Sequence, residues 1–391
     1  MDREERPSAA VRARACVQAI SPYVPGKPVE EVAREHGISD VLKLASNENP
    51  LGASPRAVEA LREGLTDLHV YPDGSGYRLK RAIADHYGVH PEQITLGNGS
   101  NDVLELVARA YLEPGANAVF SEHAFAVYPL ATQAAGAEAK VVPARPPDDP
   151  VMPFGADLEA MAAAIDERTR VVFLANPNNP TGTWVEAAQL RGLLDAVPED
   201  VIVVLDEAYT EYVEEPSFPD GIELLAHYPN LVVTRTFSKI FGLAALRVGF
   251  AVSDPAIASL LDRVRHPFNV NALALQAAEA ALEDAAFINE SRAVNRAGLE
   301  QWQAAARERG WSTVPSRANF ITVLTPFGAG RVFEQMLREG VIVRPLGGPD
   351  ARGGLSTALR ITIGTAEQNE RAVAALERAL GRLAAEDESD D

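Results

Sequence analysis

The sequence predicts an α/β fold: a larger domain with a mostly parallel sheet sandwiched by helices, joined to a smaller α+β domain. Three observations lead there. The chain has 391 residues, more than a single hydrophobic core usually serves, so two domains are expected. The runs "NAVFSEH", "AKVVPA", "TRVVFLANP", "VIVVLDEAY", "NLVVTRTFS" and "RVGFAVS" are short, β-branched and nearly all apolar. Such runs suit strands buried on both faces under helices. Helical patterns such as "VEAAQLRGLLDAV" lie between them, which gives a layered sheet.

The elements follow in order. The stretch through "ISPYVPGKPVEEVAREHG" reads as a short helix, a Pro-rich loop and another helix. "SPRAVEALREGL" opens with Ser-Pro, a helix-start signal. "YRLKRAIADHYG" is a second helix, stopped at Gly88. "QITLGNGSNDVLELVARAYL" is a strand, a Gly-rich turn and a helix. From "HPFNVNALALQAAEAALED" to about residue 310 the text is helix-rich. "NFITVLTP", "VIVRPLG" and "ALRITIGT" then form a small sheet, and "EQNERAVAALERALGRLAA" closes as a helix. The tail "AAEDESDD" has no apolar partner and is expected to be frayed and solvated. The expected division is a larger domain over 51–270 and a smaller one from 1–50 plus 271–391. No repeat or flexible linker separates them, so a firm interface is expected.

Composition narrows the function. Net charge is -19 and the pI about 4.9, which argues against a general nucleic-acid surface. No stretch reaches 18 uninterrupted apolar residues, so no membrane span is expected. The N-terminal "MDREERPSAAVRARACVQAI" is broken by arginines and lacks a signal peptide's apolar region, so a cytoplasmic protein is expected. Cys16 is the one cysteine and the seven histidines form no ligand-like cluster, so no metal site is expected. Lysine occurs only at 27, 43, 80, 140 and 239, which leaves five candidates for a catalytic amine.

Four motifs carry chemistry. "LGNGSNDVLE" runs a strand through Gly97, Gly99 and Ser100 into a helix, a geometry that binds phosphate. Taken alone, a turn needing Gly and Ser for conformation is the better explanation, and it matches neither GxGxxG nor GxxxxGK[ST]. "NPNNPTG" (176–182) is denser in turn formers than a connection requires and follows a strand's carboxyl end, where such sheets place ligands; a structural turn with Asn side chains bonding their own backbone is the alternative. "VIVVLDEAY" runs five apolar residues into Asp206 and Glu207. A carboxylate there is a helix N-cap or a group paired with a cation or donor. "TFSKIFGLAALRVGF" sets Lys239 in an apolar run beside hydroxyls and Arg247. A desolvated lysine has a lowered pKa and condenses with carbonyls. Together these point to a carbonyl cofactor with a phosphate and a ring nitrogen, pyridoxal 5'-phosphate.

The chain also resembles the fold-type I pyridoxal-phosphate aminotransferases and, within them, the histidinol-phosphate aminotransferase family. The likeness runs through "LASNENPLG", "YPDGSGYRLKRAIADHYG", "GNGSNDVLE", "NPNNPTGT", "DEAYTEY", "TFSKIFGLAALRVGF" and "LRITIGT". The resemblance implies Lys239 as the lysine that carries the cofactor and shuttles the α-proton. It implies Asp206 on the ring nitrogen, and Asn179 and Tyr209 as donors to the phenolic oxygen. Backbone at Gly99 and Asn101, with Ser100, Thr236, Ser238 and Arg247, would hold the phosphate. Phe125 would stack on the ring, where many relatives carry Tyr; Tyr71 would reach the neighbouring subunit's cofactor, making a homodimer obligatory. Tyr23, Arg344 and Arg360 match positions that bind the substrate's anionic end. Two arginines and a phenol suit a phosphate monoester and also accept the carboxylate of 2-oxoglutarate or glutamate.

The implied reaction is transamination of histidinol phosphate with 2-oxoglutarate in histidine biosynthesis. Three alternatives stand beside it: an aminotransferase for aromatic amino acids, a decarboxylase of a phosphorylated amino acid, and a non-catalytic ligand-binding regulator. The regulator ranks last, because every reactive residue is present and no DNA-binding motif precedes them.

Overall fold

A computed structural model gives the fold and describes residues 12–22, 26–348 and 354–390. Tyr23 lies outside the described residues. The large sheet has seven strands: β1 (Ile94–Gly97), β2 (Asn117–Ser121), β3 (Glu138–Val142), β4 (Thr169–Ala175), β5 (Ile202–Asp206), β6 (Leu231–Thr236) and β7 (Gly249–Ser253). Their spatial order is β1-β7-β6-β5-β4-β2-β3. Neighbours from β6 to β3 pair in parallel, while β7 pairs antiparallel with both β1 and β6.

The expected apolar strands all form. β2, β5, β6 and β7 are buried along their whole length, each large aliphatic side chain contributing about 1.5–3 kcal/mol. One expectation is corrected. β3 is an edge strand with Glu138, Ala139 and Val141 exposed, so it is not buried on both faces. Its apolar run reads like its neighbours', but only one strand flanks it.

The second sheet has four strands in the order Arg344–Pro345, Ala358–Thr362, Phe320–Leu324, Ser312–Val314. The last of these was not expected; it is three residues long. A separate core of Trp302, Ile321, Val332, Met336, Leu359 and Leu376 lies under this sheet. Leu42 and Leu44 join that core, and Leu42–Lys43 pairs in parallel with Val341–Ile342, so the N-terminal segment packs with the C-terminal sheet. The helix Ala272–Leu282, placed by sequence with the smaller domain, packs instead in the large sheet's core through Ala274, Ala277, Ala278 and Leu282.

The acidic tail is a third correction. The last helix runs Ala366–Asp390, through residues expected to be frayed. Arg331 Nη2 reaches Asp387 at 2.7 Å, so an ion pair to a neighbouring helix accompanies the exposed last turns. No helix among the described residues is long and apolar enough to cross a membrane.

Candidate active site

The carboxyl ends of β1, β4, β5 and β6, with the start of β7, open on one edge of the large sheet, where a cavity of about 280 Å³ lies. Ser100, Asn101, Phe125, Asn179, Asp206, Tyr209, Thr236, Ser238, Lys239, Arg247, Arg344 and Arg360 all line it. Residues from both sheets therefore meet there.

Asp206 is the last residue of β5 and 5% exposed. It is not a helix N-cap. Its neighbour Glu207 points the other way, as strand alternation requires, and pairs with buried Arg235 at 2.7 Å. Asp206 is held by two hydroxyls: Tyr128 donates to Oδ2 at 3.0 Å and Thr234 to Oδ1 at 3.0 Å. Thr234 is its register partner on β6. Burial raises the Asp206 pKa, and the Tyr128 and Thr234 hydrogen bonds oppose that rise.

Lys239 follows β6 on a turn anchored by buried Phe237, Ile240 and Phe241. Its Nζ donates to the Ser46 carbonyl at 3.1 Å and lies 5.8 Å from the Tyr209 ring centroid. Burial, reinforced by the Arg360 charge and opposed by Glu48, pushes its pKa down to about 7. An amine so placed is about half neutral at neutral pH, against almost none for an ordinary lysine, and can act as nucleophile and base.

The residues expected to hold a phosphate lie together at one end of the cavity. The helix Ser100–Tyr111 begins at the cavity, presenting backbone N–H groups and the positive end of its dipole. Gly99 precedes it at φ 83°, and a Cβ there would collide with the Arg247 guanidinium. Gly249 has a similar role: its Cβ would stand 2.5 Å from the Ser100 amide nitrogen. Ser238 Oγ accepts from Arg247 Nη1 at 3.1 Å, and the Ser238 amide donates to Thr236 Oγ1 at 3.1 Å. Arg247 itself has φ 55°, a left-handed backbone that non-glycine residues seldom adopt.

On the opposite wall, Arg360 Nη1 donates to Asn179 Oδ1 at 2.5 Å and Nη2 to the Ala45 carbonyl at 2.6 Å. Asn179 thus keeps its amide N–H₂ for another acceptor. Tyr209 Oη accepts from Asn47 Nδ2 at 2.9 Å, which leaves its own proton to donate. Burial holds the Tyr209 phenol above its ordinary pKa, so that proton stays on.

Two predicted residues stand apart. Tyr71 is 80% exposed, stacked on Phe268 at 5.0 Å away from this cavity. Gly99 touches the cradle without lining the cavity. Sequence reasoning missed Ser46, Asn47, Glu48, Tyr128 and Thr234 as site residues. The signal for the first three was the polar "SNEN" before Pro50, where buried Asn47 takes φ 56°. For Tyr128 it was the three-residue spacing from Phe125 at a helix start.

The family described as "Aminotransferase class I and II" matches residues 39–376. Histidinol-phosphate aminotransferase 2 of Pseudomonas fluorescens is 58% identical over 368 residues, covering 94% of this chain and 96% of its own. The protein of that name from Pseudomonas aeruginosa is 57% identical over 373 residues, covering 95% and 97%. Among solved structures, histidinol-phosphate aminotransferase of Sinorhizobium meliloti in complex with pyridoxal-5'-phosphate superimposes with a TM-score of 0.85 at 29% identity, covering 96% of this chain and 99% of its own. The chain belongs to the class I and II aminotransferases and, among them, to the histidinol-phosphate aminotransferase family.

Proposed function

We propose that this protein is a pyridoxal-phosphate-dependent aminotransferase that moves the amino group between histidinol phosphate and 2-oxoglutarate in histidine biosynthesis. The observation that carries it is the convergence, in one cavity, of a lysine with a depressed pKa, a buried carboxylate and a helix N-terminus, facing two arginines. That donor set fits the cofactor. Lys239 would hold its aldehyde carbon and Asp206 its ring nitrogen, while Asn179 and Tyr209 would donate to the phenolic oxygen. The Gly99–Asn101 backbone, Ser100, Thr236, Ser238 and Arg247 would hold its phosphate, and Phe125 would cover one ring face.

When bound, the cofactor supplies a carbonyl for the substrate amine and an electron-withdrawing ring that acidifies the substrate's α-hydrogen. The protein's residues do the rest. Lys239 Nζ, neutral once displaced, would take the α-proton and return it at the carbon that was the cofactor's aldehyde. Asp206 keeps a proton on the ring nitrogen, which sustains electron withdrawal. Arg344 and Arg360 bind the anionic end and fix the α-carbon near Lys239. Tyr23 would join them.

The same reading includes a cytoplasmic homodimer in which Tyr71 serves the partner's site. It also includes a larger cofactor-binding unit, with the helix Ala272–Leu282 packed on it, and a smaller one from the N-terminal segment and the C-terminal sheet and helices. Borohydride reduction of the cofactor-loaded protein tests the central assignment. Mass spectrometry should find the adduct on Lys239; an adduct on Lys27, Lys43, Lys80 or Lys140 would overturn it.

A further inference from the structure

Phe125 and Tyr128 are three residues apart at the start of the helix Val127–Ala135. Phe125 lines the cavity, while Tyr128 is 1% exposed behind it. Three aromatic rings fix the Tyr128 ring. Phe173 stacks on it at 4.9 Å and 10°, Phe125 meets it edge-on at 6.0 Å and 87°, and Phe120 lies tilted at 6.3 Å. So caged, the ring has its hydroxyl aimed at Asp206 Oδ2, 3.0 Å away. Thr234 supplies the matching hydroxyl on Oδ1.

We propose that Tyr128 is a positioning residue, which with Thr234 orients the Asp206 carboxylate and holds it ionised toward the cofactor's ring nitrogen. The reason is electrostatic. A carboxylate this deep loses its water, so its charge survives only with donors around it. Two neutral hydroxyls supply them without adding a cation that would compete with the protonated ring. Burial, and secondarily the nearby Asp206 charge, drives the Tyr128 phenol well above its ordinary pKa, so it remains a donor throughout the working range. The same helix turn then acts on the cofactor twice, by the Phe125 face directly and by the Tyr128 hydroxyl through Asp206.

This rests on the assignment of Asp206 to the ring nitrogen, and the test separates the two. The holoenzyme is reconstituted with pyridoxal phosphate labelled with ¹⁵N in the ring, and the ring-nitrogen shift is followed against pH by NMR, beside kcat and KM. Tyr128→Phe should lower the protonation midpoint by about one pH unit and kcat about tenfold, with KM within about twofold, as expected for one hydrogen bond to a charged group. Thr234→Val should act in the same direction, and Thr234→Ser should restore the midpoint. Incorporating 3-fluorotyrosine at position 128 keeps the cage filled with a stronger donor and should raise the midpoint, which keeps the test open if Tyr128→Phe folds poorly. If Asp206→Asn moves the midpoint and neither change at 128 does, Tyr128 is only a core residue and this inference falls. If Asp206→Asn itself leaves the midpoint unmoved, the underlying assignment falls with it.

Discussion

Arg344 and Arg360 stand directly opposite each other in the antiparallel register of two neighbouring strands, and both line the cavity that contains Lys239. Like charges in that position repel and destabilise the sheet. In the proposed function the substrate's anionic end would lie at these two arginines. Each charge-assisted bond to that anion contributes roughly 1.5–3 kcal/mol. Arg360→Ala should therefore lower kcat/KM by about one to two powers of ten in both half-reactions. Arg344→Ala should hurt histidinol phosphate more than phenylalanine. A wild type that prefers phenylalanine or tyrosine, with Arg344 indifferent to the choice, would favour the aromatic-aminotransferase alternative.

The depressed pKa of Lys239 gives a pH signature in the cofactor-free protein. Its amine should become reactive toward an arylating reagent with a midpoint near pH 7. Among the charges acting on it, Arg360 lowers the value and Glu48 raises it. Arg360→Ala should thus move the midpoint up and Glu48→Gln should move it down, read as the rate of label appearing on Lys239 by mass spectrometry. The sign for stability follows from the same shift. Above about pH 7 the unfolded lysine holds a proton that the folded one has lost. This group therefore raises stability as pH climbs toward its unfolded value. A midpoint near 10.5 would mean that Lys239 is not desolvated as the geometry requires.

Tyr71, Leu68 and Val70 are exposed beside Phe268, an apolar patch that shares no lining residue with the cavity of Lys239. The homodimer proposed above predicts that this patch is covered in the assembly. Mixing inactive Lys239→Ala with weakened Tyr71→Phe subunits should restore activity through hybrid dimers with one native site. No recovery after verified subunit exchange would contradict the shared site.

Glu207 and Arg235 form a pair with side chains 0% and 4% exposed, and Arg235 also reaches Asp220 at 2.7 Å. Gly221 donates to the second Glu207 oxygen at 2.8 Å. Removing one partner strands the other. Arg235→Leu should cost about 3–5 kcal/mol in denaturant unfolding. A loss below about 1 kcal/mol would mean the carboxylates are satisfied by other groups.

The sequence alone determined the layered α/β architecture and the strands of the large sheet, and it singled out Lys239, Asp206 and the glycine-opened helix at Ser100. Those signals are local: an apolar run between turn formers, a carboxylate ending a strand, a lone lysine in an apolar stretch. The tertiary structure decided what depends on register and packing between distant segments. It turned β7 against its neighbours, left β3 at an edge and carried the last helix through the acidic tail. It also brought Asn47 to Tyr209 across 162 residues, set Arg344 opposite Arg360, and aimed Tyr128 at Asp206. No local pattern encodes such contacts, because a side chain's partner is set by which strand lies beside its own and which face of that strand it occupies.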